Sequence, residues 1–491
     1  MQLITYVDRL AGDLAGLKSM LDKQFSGLFS GVHLLPFFDP IDGADAGFDP
    51  VDHTAVDGRL GGWPDVAELG ADYSVMADLI VNHVSAESAQ FKDVLQFGKE
   101  SKYWDLFLKK SDVFPVDGNP NDVAKIYRPR PSSPFTSIAA QDGHSYEFWT
   151  TFSENQIDIN VEVPTGQAYL TSVLDQFASS GVKEIRLDAA GYAIKRAGTR
   201  CFMLPETFEF IASLTEAAKQ RGMQTLVEIH SHYRLQIEIA RRVGRVYDFA
   251  LPPLVLNAIY QNDAAPLKRW LEMSPRNCVT VLDTHDGIGI LDVARDGDKP
   301  GLLSDDRVNE LVEGIHQKSG GESREASGTG ASNLDIYQVN CTFYDALGRC
   351  DADYLIARAI QFFAPGEPQL YYVGLLAGMN DMALLRNTGV GRDINRQIYS
   401  SADIEAQLAR PVVASLMALI KLRNTASAFD GEFSLLSTDD HTLGMKWSNG
   451  GASAMLTVYF KDSTARILVT EGSDTREYDI NEGGFHETTK R

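Results

Sequence analysis

The chain has 491 residues, 44% hydrophobic and 23% charged, enough to bury a sizeable core, so disordered, collagen-like and disulfide-scaffold classes are excluded. Acidic residues number 67 against 45 basic ones, and the net charge of −22 repels phosphodiester backbones and anionic lipid; no nucleic-acid or membrane partner is expected. Such a surface fits a saline host, and ordinary solubility explains it as well.

Met1 to Gly12 has no basic stretch followed by an apolar one, so no secretory leader is expected. Short apolar, β-branched runs then recur along the chain. They are Leu3–Val7, Val32–Leu35, Val75–Val81, Glu184–Leu187, Thr225–Ile229, Arg245–Tyr247, Cys278–Leu282 and Gln369–Tyr372. Runs this apolar suit strands covered on both faces. Between them lie stretches with helical spacing, such as Pro205–Arg221. Eight β-then-α units predict a (β/α)8 barrel in the α/β class, assigned to residues 1–81, 164–287 and 349–428.

Two gaps are too long for simple loops. Residues 82–163, rich in Pro, Ser and aromatics, are read as an inserted domain. Residues 288–348, with a Gly/Ser-rich piece at Ser319–Ser332, are read as a loop-rich insertion. Long insertions after barrel strands belong to the face that carries the active site. Val412–Ile420 is apolar but too short to span a bilayer. Residues 429–491 change pattern: His441–Ser448, Ala452–Phe460 and Thr464–Thr470 predict antiparallel strands, with a turn at Asn449-Gly450-Gly451. Cys201, Cys278, Cys341 and Cys350 are scattered without a CxxC pair, as in a reducing compartment, and a cytoplasmic location is the expectation.

Three acids fall at predicted strand ends. Asp188 closes EIRLD, and Arg186, two residues earlier, leaves the strand on the same face, where its charge would favour an ionised Asp188. Taken alone, this is as readily a structural ion pair. Glu228 closes TLVEI forty residues on, one βα unit away. Near another carboxylate in a partly apolar mouth, it should hold its proton as a general acid does. Asp286 follows the run Cys278–Leu282, beside His285, and His83 closes LIVNH. Two carboxylates flanking one bond are what cleavage of a sugar acetal requires.

DLIVNH (Asp78–His83), EIRLDAA (Glu184–Ala190), VEIH (Val227–His230) and VLDTHD (Val281–Asp286) resemble the four signature regions of the α-amylase family of glycoside hydrolases. PFFDPIDGADAGFDPVDH (Pro36–His53), IYRPRPSSPF (Ile126–Phe135), RLDAAGYA (Arg186–Ala193), YDFALPPL (Tyr247–Leu254), NLDIYQVN (Asn333–Asn340) and GRDINR (Gly391–Arg396) are similar to the phosphorylases of that family that act on sucrose. The resemblance runs through nearly the whole chain and weakens in the C-terminal β domain.

It implies that Asp188 is the nucleophile forming a β-glucosyl ester, Glu228 the acid/base, and Asp286 the stabiliser of the transition state. By the same resemblance Asp45 and Arg392 hold the far hydroxyls of the glucosyl unit and His83 and His285 the near ones. Arg186 orients Asp188, Phe48, Phe152 and Tyr192 form an aromatic wall, and His230 joins the substrate-binding set. Arg130, Leu334, Asp335, Tyr337 and Gln338 line the acceptor side, where fructose and phosphate alternate, with Arg130 as the candidate phosphate fork. The implied reactants are sucrose, inorganic phosphate as co-substrate, glucose 1-phosphate and fructose. No cofactor and no metal are expected, since Asp117, Asn119 and Asp122 lack the rest of a calcium loop.

Three alternatives stay open. A sister phosphorylase would act on sucrose 6′-phosphate, glucosylglycerol or glucosylglycerate; the lack of cations at Leu334–Gln338 argues against a phosphorylated acceptor. A retaining α-glucosidase or transglucosidase would use water or a sugar instead of phosphate. A non-catalytic barrel would lack the three carboxylates. The chain could also pair as a homodimer.

Overall fold

The computed structural model describes residues 1–43, 45–114, 119–128, 132–327 and 336–488. Eight parallel strands close on themselves: β1 (Gln2–Thr5), β2 (Gly31–Leu34), β3 (Ser74–Ile80), β4 (Glu184–Asp188), β5 (Gln224–Val227), β6 (Val246–Asp248), β7 (Cys278–Thr280) and β8 (Glu367–Tyr371). Each pairs with its neighbour in chain order, and β8 returns to β1 with Gln2 opposite Gln369. This is the (β/α)8 barrel expected, and each of the eight apolar runs overlaps one of its strands. Helices cover the outside. In Pro205–Gln220, Phe208, Ile211, Leu214 and Ala218 are the buried stripe, at helical spacing.

The inside of the barrel is layered and polar. At one end Gln369 donates to Gln2 (2.6 Å), Gln2 donates to Glu184 (2.6 Å), and Arg245 pairs with Glu184. One layer further on, Arg186 lies opposite Asp78 in the register of β4 and β3. Its guanidinium reaches Asp78 at 2.5 Å, and His33 on β2 takes the other oxygen at 3.0 Å. Buried charge is tolerated there because every carboxylate oxygen of Asp78 has a partner. That layer is the floor of the site.

The first insertion contains the hairpin Phe135–Ala139/Ser145–Trp149, and its ends pair as His83–Ser85 with Gln156–Asp158. The second differs from the loop-rich expectation. Asp305–Lys318 is a helix, capped where the Ser304 hydroxyl accepts from Arg307 N, with Val308, Leu311, Val312 and Ile315 buried. The Gly/Ser-rich composition farther on masks this periodic segment.

The C-terminal domain is a six-stranded antiparallel sheet: β9 (Glu432–Leu436), β10 (Thr442–Asn449), β11 (Ala452–Tyr459), β12 (Thr464–Glu471), β13 (Asp474–Asn481) and β14 (Gly484–Glu487). Only β10 to β12 stand out in sequence. β11 and β12 alternate buried and open positions and β10 buries Leu443, Met445 and Trp447, whereas β9 and β14 are mostly open to solvent and β13 buries only Tyr478 and Ile480. Asn449 pairs with Ala452 across Gly450-Gly451, and Gly450 adopts φ +56°, as a two-residue hairpin loop requires. Among the described residues, no helix is long and apolar enough to cross a membrane.

Candidate active site

Asp188 is the last residue of β4, Glu228 the first after β5, and Asp286 lies just beyond β7. All three open into one cavity at the C-terminal rim of the barrel. Ala189 turns the chain sharply after Asp188 in the left-handed region, φ 55°, a conformation disfavoured for a residue with a Cβ. Arg186, beneath them, donates to Asp188 at 2.9 Å and reaches Glu228 at 3.9 Å. Side-chain atoms of Glu228, His230 and Asp286 lie within 4.8 Å of one another. The side chains of Asp188, Glu228 and Asp286 keep only 14, 13 and 11% exposure, so a bound sugar would meet carboxylates largely stripped of water.

Arg392, from the turn Gly391–Asn395, contacts Asp286 at 2.9 Å and Asp45 at 3.8 Å. The ring of His285 stacks on Phe48, centroids 4.7 Å apart. His83 donates from Nε2 to the Phe48 carbonyl at 2.9 Å and packs on Phe152. Phe152 meets Tyr192 edge-on at 5.0 Å. Tyr337 also lines the cavity, and Gln338 reaches Nε2 of His230 at 3.1 Å. Thus Asp45, Phe48, His83, Phe152, Tyr192, His230, His285, Tyr337 and Arg392 stand with the three acids around one space, with Arg186 below and Gln338 beside it. Arg130, Leu334 and Asp335 lie outside the described residues, as does Asp117. Asn119 accepts from Asn121 N, and Asp122 is bonded to Lys125 at 2.9 Å.

The electrostatics divide the acids. Against the cost of burial, Arg392 above all and Arg396 with it hold the Asp286 carboxyl far below the usual range. Burial pushes the Asp188 carboxyl well up, Arg186 opposes it, and Glu228, Asp78 and Asp286 add to the rise. Arg186 acts in the direction expected from the sequence, but burial and the neighbouring carboxylates act against it. In the open cavity, desolvation and three like charges outweigh one guanidinium already shared with Asp78. Burial also lowers His285 to about 3 and lowers His83, so both imidazoles are neutral at neutral pH. His230 goes the other way: despite burial, Asp292, Glu228 and Asp286 raise it.

Several residues of the site have no signal of their own in the sequence. Gln156 and Phe202 reach the cavity from a strand of the first insertion and from the loop after β4. Asp292, behind His230, comes from the second insertion. Position in a long insertion follows no period, so only folding brings them in. Asp78 had a signal: a lone acid inside an otherwise apolar strand, in a protein interior where unpaired charge is rare.

Residues 6–244 match the family described as Alpha amylase, catalytic domain. The sucrose phosphorylase of Agrobacterium vitis is 56% identical over 471 residues, 96% of each chain. That of Bifidobacterium adolescentis is 51% identical over 483 residues, again 96% of each. The crystal structure of sucrose 6F-phosphate phosphorylase from Thermoanaerobacter thermosaccharolyticum superposes with a TM-score of 0.89 at 35% identity, covering 99% of this chain and 97% of that one.

Proposed function

The chain belongs to the sucrose phosphorylase branch of the α-amylase family, and from that premise we propose that it catalyses the reversible phosphorolysis of sucrose, giving α-glucose 1-phosphate and fructose with retention. The observation that carries this reading is the meeting of Asp188, Glu228 and Asp286 at one rim, in a chain this similar to phosphorylases over its full length.

In this reading Asp188, with Arg186 at 2.9 Å, is the nucleophile and Glu228 is the acid that brings one proton to the reaction. Sucrose places its glycosidic oxygen beside Glu228, which gives up that proton. The C1–O bond to fructose breaks as Asp188 Oδ attacks C1 and a β-glucosyl ester forms. Asp286, kept ionised by Arg392, lies opposite the positive charge developing on the sugar ring. Asp45 and Arg392 take the far hydroxyls, and His83 and His285 the near ones. A phosphate oxygen then attacks C1, the ester bond to Asp188 breaks, and the phosphate's hydroxyl proton returns to Glu228. Two inversions give net retention.

Arg130 is proposed to grip the phosphate, with Leu334, Asp335, Tyr337 and Gln338 shaping the acceptor side. No cofactor beyond phosphate and no metal are proposed; activity should survive a chelator such as EDTA. We propose a cytoplasmic location, and a homodimer would be read directly from a solution mass near twice 54.0 kDa. The deciding experiment is product analysis from sucrose with and without phosphate. Phosphate-dependent release of α-glucose 1-phosphate supports the reading; glucose release indifferent to phosphate would make the enzyme a hydrolase.

A further inference from the structure

His230 sits two residues after Glu228, its ring stacked on Phe249 (centroids 3.7 Å, 15°) and edge-on to Tyr337 (5.5 Å, 66°). Nδ1 is 3.1 Å from Asp292 Oδ2, and Nε2 is 3.8 Å from Glu228 Oε1. Asp292 is fully buried in the insertion after β7, yet its donors among the described residues come from the segment after β5. Ser231 N (3.2 Å) and Gln236 Nε2 (2.5 Å) donate to Oδ1, leaving Oδ2 for the imidazole. A carboxylate only accepts, so Nδ1 carries the proton and Nε2 is turned to the cavity. Gln338 matches this: its Oε1 accepts from Gly287 N at 3.3 Å, which aims its amide NH2 at Nε2, 3.1 Å away.

The backbone is shaped around the pair. A Cβ on Gly289 would stand 2.2 Å from Asp292 Oδ2 and 3.3 Å from His230 Nδ1. Gly289 is also the register partner of Gln338, so one short strand pair supports both neighbours of the imidazole.

We propose that Asp292 is a positioning residue for the phosphate-consuming step: it fixes the plane and tautomer of His230, so that Nε2 faces Glu228 and the acceptor. This rests on the phosphorolysis reading above. The groups facing the ring are Glu228 at the end of β5, Asp286 after β7, and Asp292, Tyr337 and Gln338 from the second insertion. The surrounding carboxylates favour a second proton on the ring. Gln338 must turn its amide to allow it, and the imidazolium then faces the entering anion. Fructose, being neutral, makes no such demand.

The test uses the full-length enzyme carrying Asp292→Asn, with sucrose and inorganic phosphate. The KM for phosphate should rise at least about ten-fold, while kcat/KM for sucrose changes by less than about three-fold. The basic limb of the pH profile for phosphate should move to lower pH, because a negative partner of the imidazolium is gone. In a His230→Asn background, Asp292→Asn should add nothing further. Gly289→Ala, which keeps every charge but pushes the carboxylate off the imidazole, should raise the phosphate KM and move the same limb by less than Asp292→Asn does, and it decides the matter if Asp292→Asn does not fold. Equal losses toward sucrose and phosphate, full additivity with His230→Asn, or unchanged phosphate kinetics in a folded variant would overturn the proposal. Wild-type enzyme that made no glucose 1-phosphate would instead overturn the functional reading.

Discussion

Arg186 and Asp78 face each other in register across two adjacent barrel strands, 2.5 Å apart and sealed from solvent. The pair fixes the guanidinium whose other contacts are Asp188 at 2.9 Å and Glu228 at 3.9 Å. Asp78→Ala leaves Arg186 and His33 buried without their common partner. Orphaning a buried charge costs about 3–5 kcal/mol, so the urea midpoint should fall clearly. Activity should fall as well, because Arg186 would swing toward Asp188 and Glu228; an unchanged midpoint would show that water replaces the carboxylate.

Asp188→Asn removes the atom that bonds to C1, and Glu228→Gln removes the proton for the leaving oxygen. Each should lower kcat by about 10³-fold or more, with far-UV circular dichroism unchanged. The two should part company on an activated substrate. With α-glucosyl fluoride the leaving group needs no acid, so Glu228→Gln should recover its first step while Asp188→Asn does not. Near-native turnover by either variant would remove that residue from its role.

The barrel was legible because its strands are covered on both faces and read as short, mostly apolar runs into which only single polar or charged residues are set. The three acids were legible because each ends such a run, where a barrel keeps its chemistry. What could not be read is what the insertions and the loop after β4 contribute. Phe202 and Asp292 carry no periodic signal, and the helix Asp305–Lys318 was masked by the Gly- and Ser-rich residues that follow it. Nor could the balance at Asp188 be read from Arg186 two residues away. It depends on Asp78, which takes half of that arginine from a strand more than a hundred residues earlier.

Asp248, at the end of β6, is almost wholly buried, and its carboxylate accepts from Trp270 Nε1 at 2.9 Å and Leu251 N at 3.0 Å. Burial pushes it up to about 7 even though these bonds favour the charged form. Its folded value lies above the unfolded one. The protonated group therefore favours the folded state fully below about pH 4, and that contribution is lost as the pH rises to about 7. Asp248→Asn should flatten this part of the stability profile, an effect on the order of a few kcal/mol. Urea midpoints at pH 5 and pH 8 in both proteins measure it, and parallel profiles would place the titration elsewhere.

Acceptor choice should favour plain sucrose. Beyond Phe202 the catalytic cavity adjoins a second one that holds Arg200, Arg234, Lys299, Glu238 and Asp296. Its cations are not arranged as a phosphate fork. Arg200 and Lys299 both turn to Asp296, at 3.8 and 3.7 Å, and Arg234 donates to Tyr233 at 3.0 Å. Were a fructosyl 6′ phosphate to enter this space, it would have to displace Asp296 from two partners, and its own charge would sit beside that carboxylate and Glu238. Sucrose meets no such repulsion. We expect kcat/KM for sucrose to exceed that for sucrose 6′-phosphate by about ten-fold or more, the equivalent of about 1.4 kcal/mol. Asp296→Asn should narrow the gap by freeing Arg200 and Lys299. If the wild-type enzyme preferred the phosphorylated sugar, Asp296 would not be the discriminating charge.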